Sequence, residues 1–214
     1  MSEGVKRNRQ PGTRRAEQAR ATRRRVIDHA TTLFLSHGYS ATTLDQIAKA
    51  AGISVQTLYF HFGNKATVLK EVVDVLAVGD DKPVPLLDRP WTQRLRDASD
   101  GPQALAIWVR NARTVFGRIA PIMKIVRDAA GSDPEMAAQW QTNMAQRYTA
   151  QRTVVQHLAD RHFLGPDLTV DRAAGIVYCL ISIEVYQLCT VDRGWSPAQW
   201  EQWIIDTLTS TILR

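Results

Sequence analysis

The chain is poor in the groups that carry covalent and metal chemistry. Its 214 residues include two cysteines and five histidines. Cys179 and Cys189 lie ten apart in an apolar, helix-like run, so they point in different directions and read as small buried hydrophobes rather than a disulfide. His157 and His162 are five apart, on different faces of any helix, and no H-E-x-x-H, C-x-x-C or G-x-S-x-G stretch occurs. No catalytic residue, metal site or cofactor is therefore assigned, and an enzyme is not expected. Beyond residue 79 no two glycines lie within eight residues of each other, and no hairpin dipeptide separates alternating strands. Phosphate-cradling loops and β-architecture both lack support. No uninterrupted apolar run approaches the ~20 residues of a bilayer span, and no signal-peptide stretch follows the basic N-terminus. The expected setting is the cytoplasm, with no membrane partner.

What the chain does have is charge concentrated at one end. Residues 1 to 25 hold nine Lys/Arg against Glu3 and Glu17, a net of +7, whereas residues 26 to 214 hold 18 basic and 19 acidic groups, net −1. A neutral body with a basic head suits a polyanion-binding module attached to something else. An anionic membrane is the weaker partner, because the basic segment lacks the Trp/Leu/Phe face of an interfacial helix. Residues 1–12 have almost no apolar side chains and are expected to form a disordered basic arm. Among the arginines that follow, Arg14, Arg15 and Arg24 are candidates for phosphate contacts, with Arg14 and Arg15 along or inside the minor groove.

A helix from Thr13 runs to a stop at Gly38, with Val26, Ala30, Leu33 and Phe34 at helical spacing. Two short helices follow. Thr43 caps the first, with Gln46 as its capping-box partner and Leu44, Ile47, Ala48 and Ala51 as the apolar face. Gly52 ends it, Ile53 plugs the corner, and Ser54 caps a second helix through Phe60. Small Ala48 four residues before Gly52 allows two crossing helices to approach closely, as a DNA-reading helix-turn-helix requires. Asn64 caps a third, bridging helix that carries Val68, Leu69, Val72, Val73, Leu76 and Ala77 inward.

From about Arg25 to Leu69 this pattern resembles the signature of TetR/AcrR-type transcriptional regulators. The resemblance rests on Ile27, Ala30, Phe34, Gly38, Tyr39, Thr42, Thr43, Ile47, Ala48, Ala51, Gly52, Ser54, Thr57, Leu58, Tyr59, His61, Phe62, Lys65 and Leu69. Many members carry Gly where this chain has Gln56, whose amide can reach a base edge. The resemblance implies Thr43, Tyr59, His61 and Lys65 as phosphate anchors. Ser54, Val55, Gln56, Thr57 and Tyr59 are expected at bases or adjacent phosphates of double-stranded DNA.

Three prolines in residues 79 to 90 mark a connection, so the head is taken as residues 13–78 and the remainder as 79–214. The remainder reads as helices: one after Gly101-Pro102, a short one after Pro121, a long one opened by Ser132, Pro134 and Glu135, one from about Thr169 to Thr190, and one capped by Ser196 and Gln199. The fourth is apolar nearly all round and must be covered on every side. A second copy is the expected cover, pairing the last two helices through Ile176, Leu180, Ile183, Trp200, Trp203, Ile204 and Leu208. The expected architecture is thus all-α: a three-helix helix-turn-helix domain followed by a helical bundle for ligand binding and dimerisation.

The family resemblance further implies a pocket in this half for a small apolar or aromatic effector. Trp108, Phe116, Met123, Trp140, Met144 and Tyr148 are the candidates to line it. Glu184, a carboxylate in an apolar helix, needs a partner; Arg172 or Arg193 is the structural choice and a cationic ligand the other. The function expected is a homodimeric repressor on a palindromic operator, released by its ligand. The competing classes are a sequence-tolerant architectural DNA binder without an effector and a helical small-molecule binding protein.

Overall fold

The computed structural model describes residues 11–79 and 86–214 and is helical, with no strand among them. The proposed disordered arm lies outside the described residues, apart from Pro11 and Gly12, which begin the first helix. The chain divides into two compact units at Val72–Val73.

In the first unit, helix α1 (Pro11–Ala41) buries Val26, Ile27, Ala30 and Phe34. Gly38 breaks its regularity at φ 77, ψ 176, a region open to glycine. Thr42, fully buried, donates its hydroxyl to the Gly38 carbonyl at 2.7 Å, holding the exit of α1. Helix α2 (Leu44–Ala51) has the expected Thr43–Gln46 capping box: the Thr43 N–H donates to Gln46 Oε1 at 2.8 Å, and the Gln46 N–H to Thr43 Oγ1 at 3.2 Å. It closes on Gly52 at φ 66, ψ 40. Helix α3 (Val55–Phe62) is capped by Ser54, and α4 (Lys65–Val78) by the Asn64 side chain, which accepts from the Thr67 N–H at 2.8 Å. Leu58, Phe62, Leu69 and Val72 complete this core.

In the second unit a 3-10 turn (Leu86–Asp88) leads to α5 (Pro90–Arg96), a seven-residue helix hidden in the proline-rich stretch. Helix α6 (Gly101–Ala130) is continuous through Pro121, where a separate short helix was expected. Proline removes one N–H and crowds a carbonyl, but its fixed φ is itself helical, and Ile119, Ala120, Ile122 and Met123 are all buried around it. Gln187 from a later helix donates to the Ala120 carbonyl at 2.9 Å beside the proline. Helix α7 (Pro134–Asp160) is capped by Asp133, not by the expected Ser132. Its C-terminus closes on His162, at φ 57, so that histidine terminates a helix.

The run expected as one helix from Thr169 to Thr190 is three pieces: α8 (Val170–Leu180), α9 (Ile183–Gln187) and a π-turn (Leu188–Asp192). The break lies at Ile181, φ −87, ψ 69, and Ser182 caps the restart. By length and composition alone, with a mean hydropathy of 1.6, residues Val170–Asp192 are apolar enough to cross a membrane, although Glu184 interrupts the apolar run. Helix α10 (Pro197–Ile212) carries the expected Ser196–Gln199 capping box. Its end is pinned by hydrogen bonds from Gly165 N–H to the Ile212 carbonyl and from Arg214 N–H to the Phe163 carbonyl.

The centre of this unit is aromatic. Phe116, Tyr186 and Trp200 pack with ring centroids 5.1–5.7 Å apart, and burial pushes the Tyr186 phenol above its ordinary pKa while Arg113 pulls it part of the way back. The Glu201 carboxylate, also buried, faces Arg113 at 2.9 Å and Arg110 at 3.3 Å. Replacing Trp200 by Ala is expected to cost about 3–5 kcal/mol, whereas half-exposed Trp203→Ala costs clearly less. Urea unfolding of the two variants checks the difference.

Candidate nucleic-acid interface and apolar cavity

The reading face is set by what α3 buries. Leu58 and Phe62 go into the head's core, which turns Gln56, Tyr59, Phe60 and His61 outward. Ser54 and Thr57 are engaged with each other: the Thr57 N–H donates to Ser54 Oγ at 3.1 Å, and the two hydroxyls lie 2.8 Å apart. They organise the start of α3. Gln56 is exposed and its amide has no partner among the described residues, so both of its hydrogen-bonding ends are free. Val55 is half-buried.

Sequence reasoning passed over Phe60. It is 86% exposed, the most open large apolar side chain among the described residues, and its ring meets His61 edge-on at 5.3 Å. The available signal was its place in α3, two residues before buried Phe62, which forces it to the opposite side. An aromatic ring held in water beside a free amide matches the apolar partner of a thymine methyl group.

Lys65 is a tie within the head. Its ammonium donates to the Tyr39 carbonyl at 2.7 Å and lies 4.2 Å from the Tyr39 ring centroid. It therefore clamps the start of α4 to the exit of α1. Thr43 likewise serves as a cap. Arg24 pairs with Asp28 at 3.0 Å across one helical turn, while Arg23 pairs with Glu71. The Arg24–Asp28 pair is exposed, and such pairs contribute little to stability, so the Arg24 guanidinium stays available to phosphate. The side chains of Arg14 and Arg15 lie outside the described residues.

The second unit holds a partly open cavity of about 420 Å³. Trp108, Phe116, Met123 and Met144 line it as expected. Trp140, Tyr148 and Glu184 do not: the Tyr148 ring sits edge-on to Tyr178 at 5.6 Å, outside the lining, and Trp140 and Glu184 are half-buried elsewhere. Among the described residues no ion pair joins Glu184 to Arg172 or Arg193. Instead, α7 supplies polar groups that sequence periodicity had not singled out. Asn143 accepts from Gln139 at 2.7 Å and directs its own N–H at the Met123 sulfur, 3.7 Å away. Arg147 and Gln151, one turn apart, both donate to the Ile181 carbonyl, at 3.2 and 2.8 Å. The Arg147 guanidinium lies 3.9 Å from the Tyr178 ring centroid.

The residues expected at a dimer surface divide. Ile183, Trp200, Ile204 and Leu208 are buried inside the protomer and are corrected to core. Their helices turn those side chains toward α6 rather than outward. Ile176, Leu180 and Trp203 remain half-exposed, beside the exposed Leu188 and Val191. Cys179 is exposed, and Cys189 is buried, which raises its thiol pKa. Neither is in a disulfide.

Residues 26–72 match the family model described as bacterial regulatory proteins, tetR family. Over 58 residues the chain is 45% identical to the HTH-type transcriptional regulator SrpR of Pseudomonas putida, a match covering 27% of each protein. The stretch shared with such a regulator is thus about a quarter of its length. Two solved structures share the fold over nearly the whole chain. NalD, the secondary repressor of the MexAB-OprM multidrug efflux pump in Pseudomonas aeruginosa, has a TM-score of 0.69 and 22% identity, covering 92% of this chain and 98% of its own. SmeT, solved as a complex with triclosan, has a TM-score of 0.69 and 18% identity, covering 91% and 92%. Because Phe60 supports nothing inside the head, Phe60→Ala is expected to change stability by no more than about 0.5 kcal/mol while weakening DNA binding, a contrast read by thermal melting beside fluorescence anisotropy.

Proposed function

From the TetR-type head at residues 26–72, we propose that this protein is a ligand-responsive transcriptional regulator that represses by binding a palindromic DNA operator as a homodimer. The observation that carries the reading is a combination. One unit presents α3 with a free amide and an exposed ring, and the other holds a largely apolar cavity with polar groups in its lining. An architectural DNA binder has no use for the second feature, and a small-molecule carrier none for the first.

Two copies would set their α3 helices about 34–36 Å apart, in successive major grooves. Support for the pairing comes from the segment Val170–Asp192: only 39% of its apolar window is buried within the protomer, so a second copy offers the missing cover. On the DNA, Gln56 reads a base edge, Phe60 and Val55 add apolar contact, and Tyr59, His61 and Thr43 meet phosphate. Arg14, Arg15 and Arg24 add sequence-independent attraction that weakens with salt. Lys65 acts through the Tyr39 clamp, and Ser54 and Thr57 hold the first turn of α3 in place.

A small apolar effector in the cavity would favour one arrangement of the second unit over another. A coupling of about 1–3 kcal/mol changes DNA affinity roughly 5- to 150-fold. NalD's role as an efflux-pump repressor and SmeT's complex with triclosan fit such a reading. A DNA-bound working state is that of a cytoplasmic protein.

A gel shift against the promoter region beside its own gene, with scrambled competitor, tests the operator reading. Selective retention of promoter DNA is expected; undiminished binding to scrambled DNA returns the architectural class. Gln56→Ala is expected to relax one operator position at a cost of about 1–3 kcal/mol, measured by binding to a panel of single-base operator variants. Equal loss on every variant moves Gln56 to the backbone.

A further inference from the structure

We propose that Phe60 reads a methyl group: its ring packs on the C5-methyl of a thymine in the operator, and binding depends on that methyl rather than on the base that carries it. The proposal rests on the reading of α3 as the helix that enters the major groove, and names what its central side chain recognises there. The direction of each side chain on α3 follows from the two that are buried. An α-helix turns about 100° per residue, so Leu58 and Phe62, both in the core of the head, lie about 160° from Phe60 on either side of the helix. Phe60 therefore stands opposite the core. By the same geometry exposed Tyr59 and His61 project about 100° to its two sides, and exposed Gln56, one turn earlier, lies about 40° from it.

Exposure alone says little, since single apolar side chains are common on protein surfaces; the position of Phe60 is what carries the argument. For a helix lying in a groove, the two flanking side chains face the phosphate walls and the one between them faces the floor, where the base edges are. Tyr59 and His61 carry polar groups that suit phosphate. Phe60, 86% exposed and met edge-on by the His61 ring at 5.3 Å, carries none. The floor of the major groove offers donors, acceptors and one apolar group, the C5-methyl of thymine. A phenyl ring over a polar edge removes water from groups it cannot replace, whereas over the methyl it covers apolar surface on both partners. Gln56, on the same face one turn earlier, then reads a neighbouring position. Because the contact is with the methyl alone, a 5-methylcytosine satisfies Phe60 as thymine does. The operator is therefore sensitive to cytosine-5 methylation wherever a cytosine stands at that position.

The test uses duplex DNA that the full chain selects from a randomised pool. Each thymine of the selected sequence is replaced singly by 2′-deoxyuridine, which removes one methyl group and keeps every hydrogen-bonding group, and binding is read by fluorescence anisotropy. One thymine in each half-site is expected to lose roughly fourfold in affinity as uracil, the contribution of one buried methyl. With a C·G pair at that position, 5-methylation of the cytosine is expected to gain roughly the same factor. In Phe60→Ala the thymine and uracil duplexes bind within about twofold of each other, less than one methyl contributes, while Phe60→Leu, still apolar, keeps the preference. A sequence with no uracil-sensitive thymine overturns the proposal and leaves the operator reading in place. A sensitivity that survives in Phe60→Ala also overturns it, and moves the methyl contact to Val55. A pool that yields no enriched sequence removes the operator reading and the proposal together.

Discussion

Helix C-termini govern this structure, because each leaves carbonyls that must find donors. In the second unit arginines do much of that work. Arg118 donates to the Leu76 and Ala77 carbonyls at the end of α4, Arg161 to Arg96 and Ala98 at the end of α5, and Arg147 to Tyr178 and Ile181 where α8 breaks. A rigid fork with several N–H groups can close a helix end that no local residue closes. The first unit solves the same problem locally, with Gly52 in a left-handed turn and Lys65 across to Tyr39. The reading face of α3 and the polar edge of the cavity are both by-products of how helices were ended.

The N-terminal ends were legible in the sequence and the breaks were not. Thr43, Ser54, Asn64 and Ser196 each announce a helix start by their own side chain and cap where expected, whereas α7 starts one residue later than expected, on Asp133 in place of Ser132. A start is a local event, written within four residues. The interruption at Ile181 has no such mark, since Ile, Ser and Ile are unremarkable in an apolar run; it depends on α7 offering Arg147 and Gln151 from some thirty residues earlier. Pro121 misled in the opposite direction, because the sequence displays its lost N–H but not the packing that carries α6 past it.

The site residues follow the same rule. In the head, burial of Leu58 and Phe62 fixes which of their neighbours face outward, so Gln56 and Tyr59 could be named in advance. In the second unit four residues of the aromatic stripe, Trp108, Phe116, Met123 and Met144, fall in the cavity lining, because they lie on the apolar faces of α6 and α7 that turn toward each other. Trp140 lies on that side of α7 but before its first lining residue, Asn143, and Tyr148 packs on Tyr178 instead. Trp200, Ile204 and Leu208 were legible as buried but not as to what buries them: periodicity identifies an apolar side without saying whether the cover is the same chain or another.

The apolar stretch Val170–Asp192 also has a history before folding. As it leaves the ribosome it has the length and hydropathy by which the insertion machinery selects membrane spans. Glu184 stands near its middle, where an acidic side chain raises the cost of insertion by about 2.5–3.5 kcal/mol, as much as several leucines recover. The Glu184 carboxylate, which forms no ion pair among the described residues, therefore makes this stretch a poorer membrane span than its length and hydropathy alone suggest.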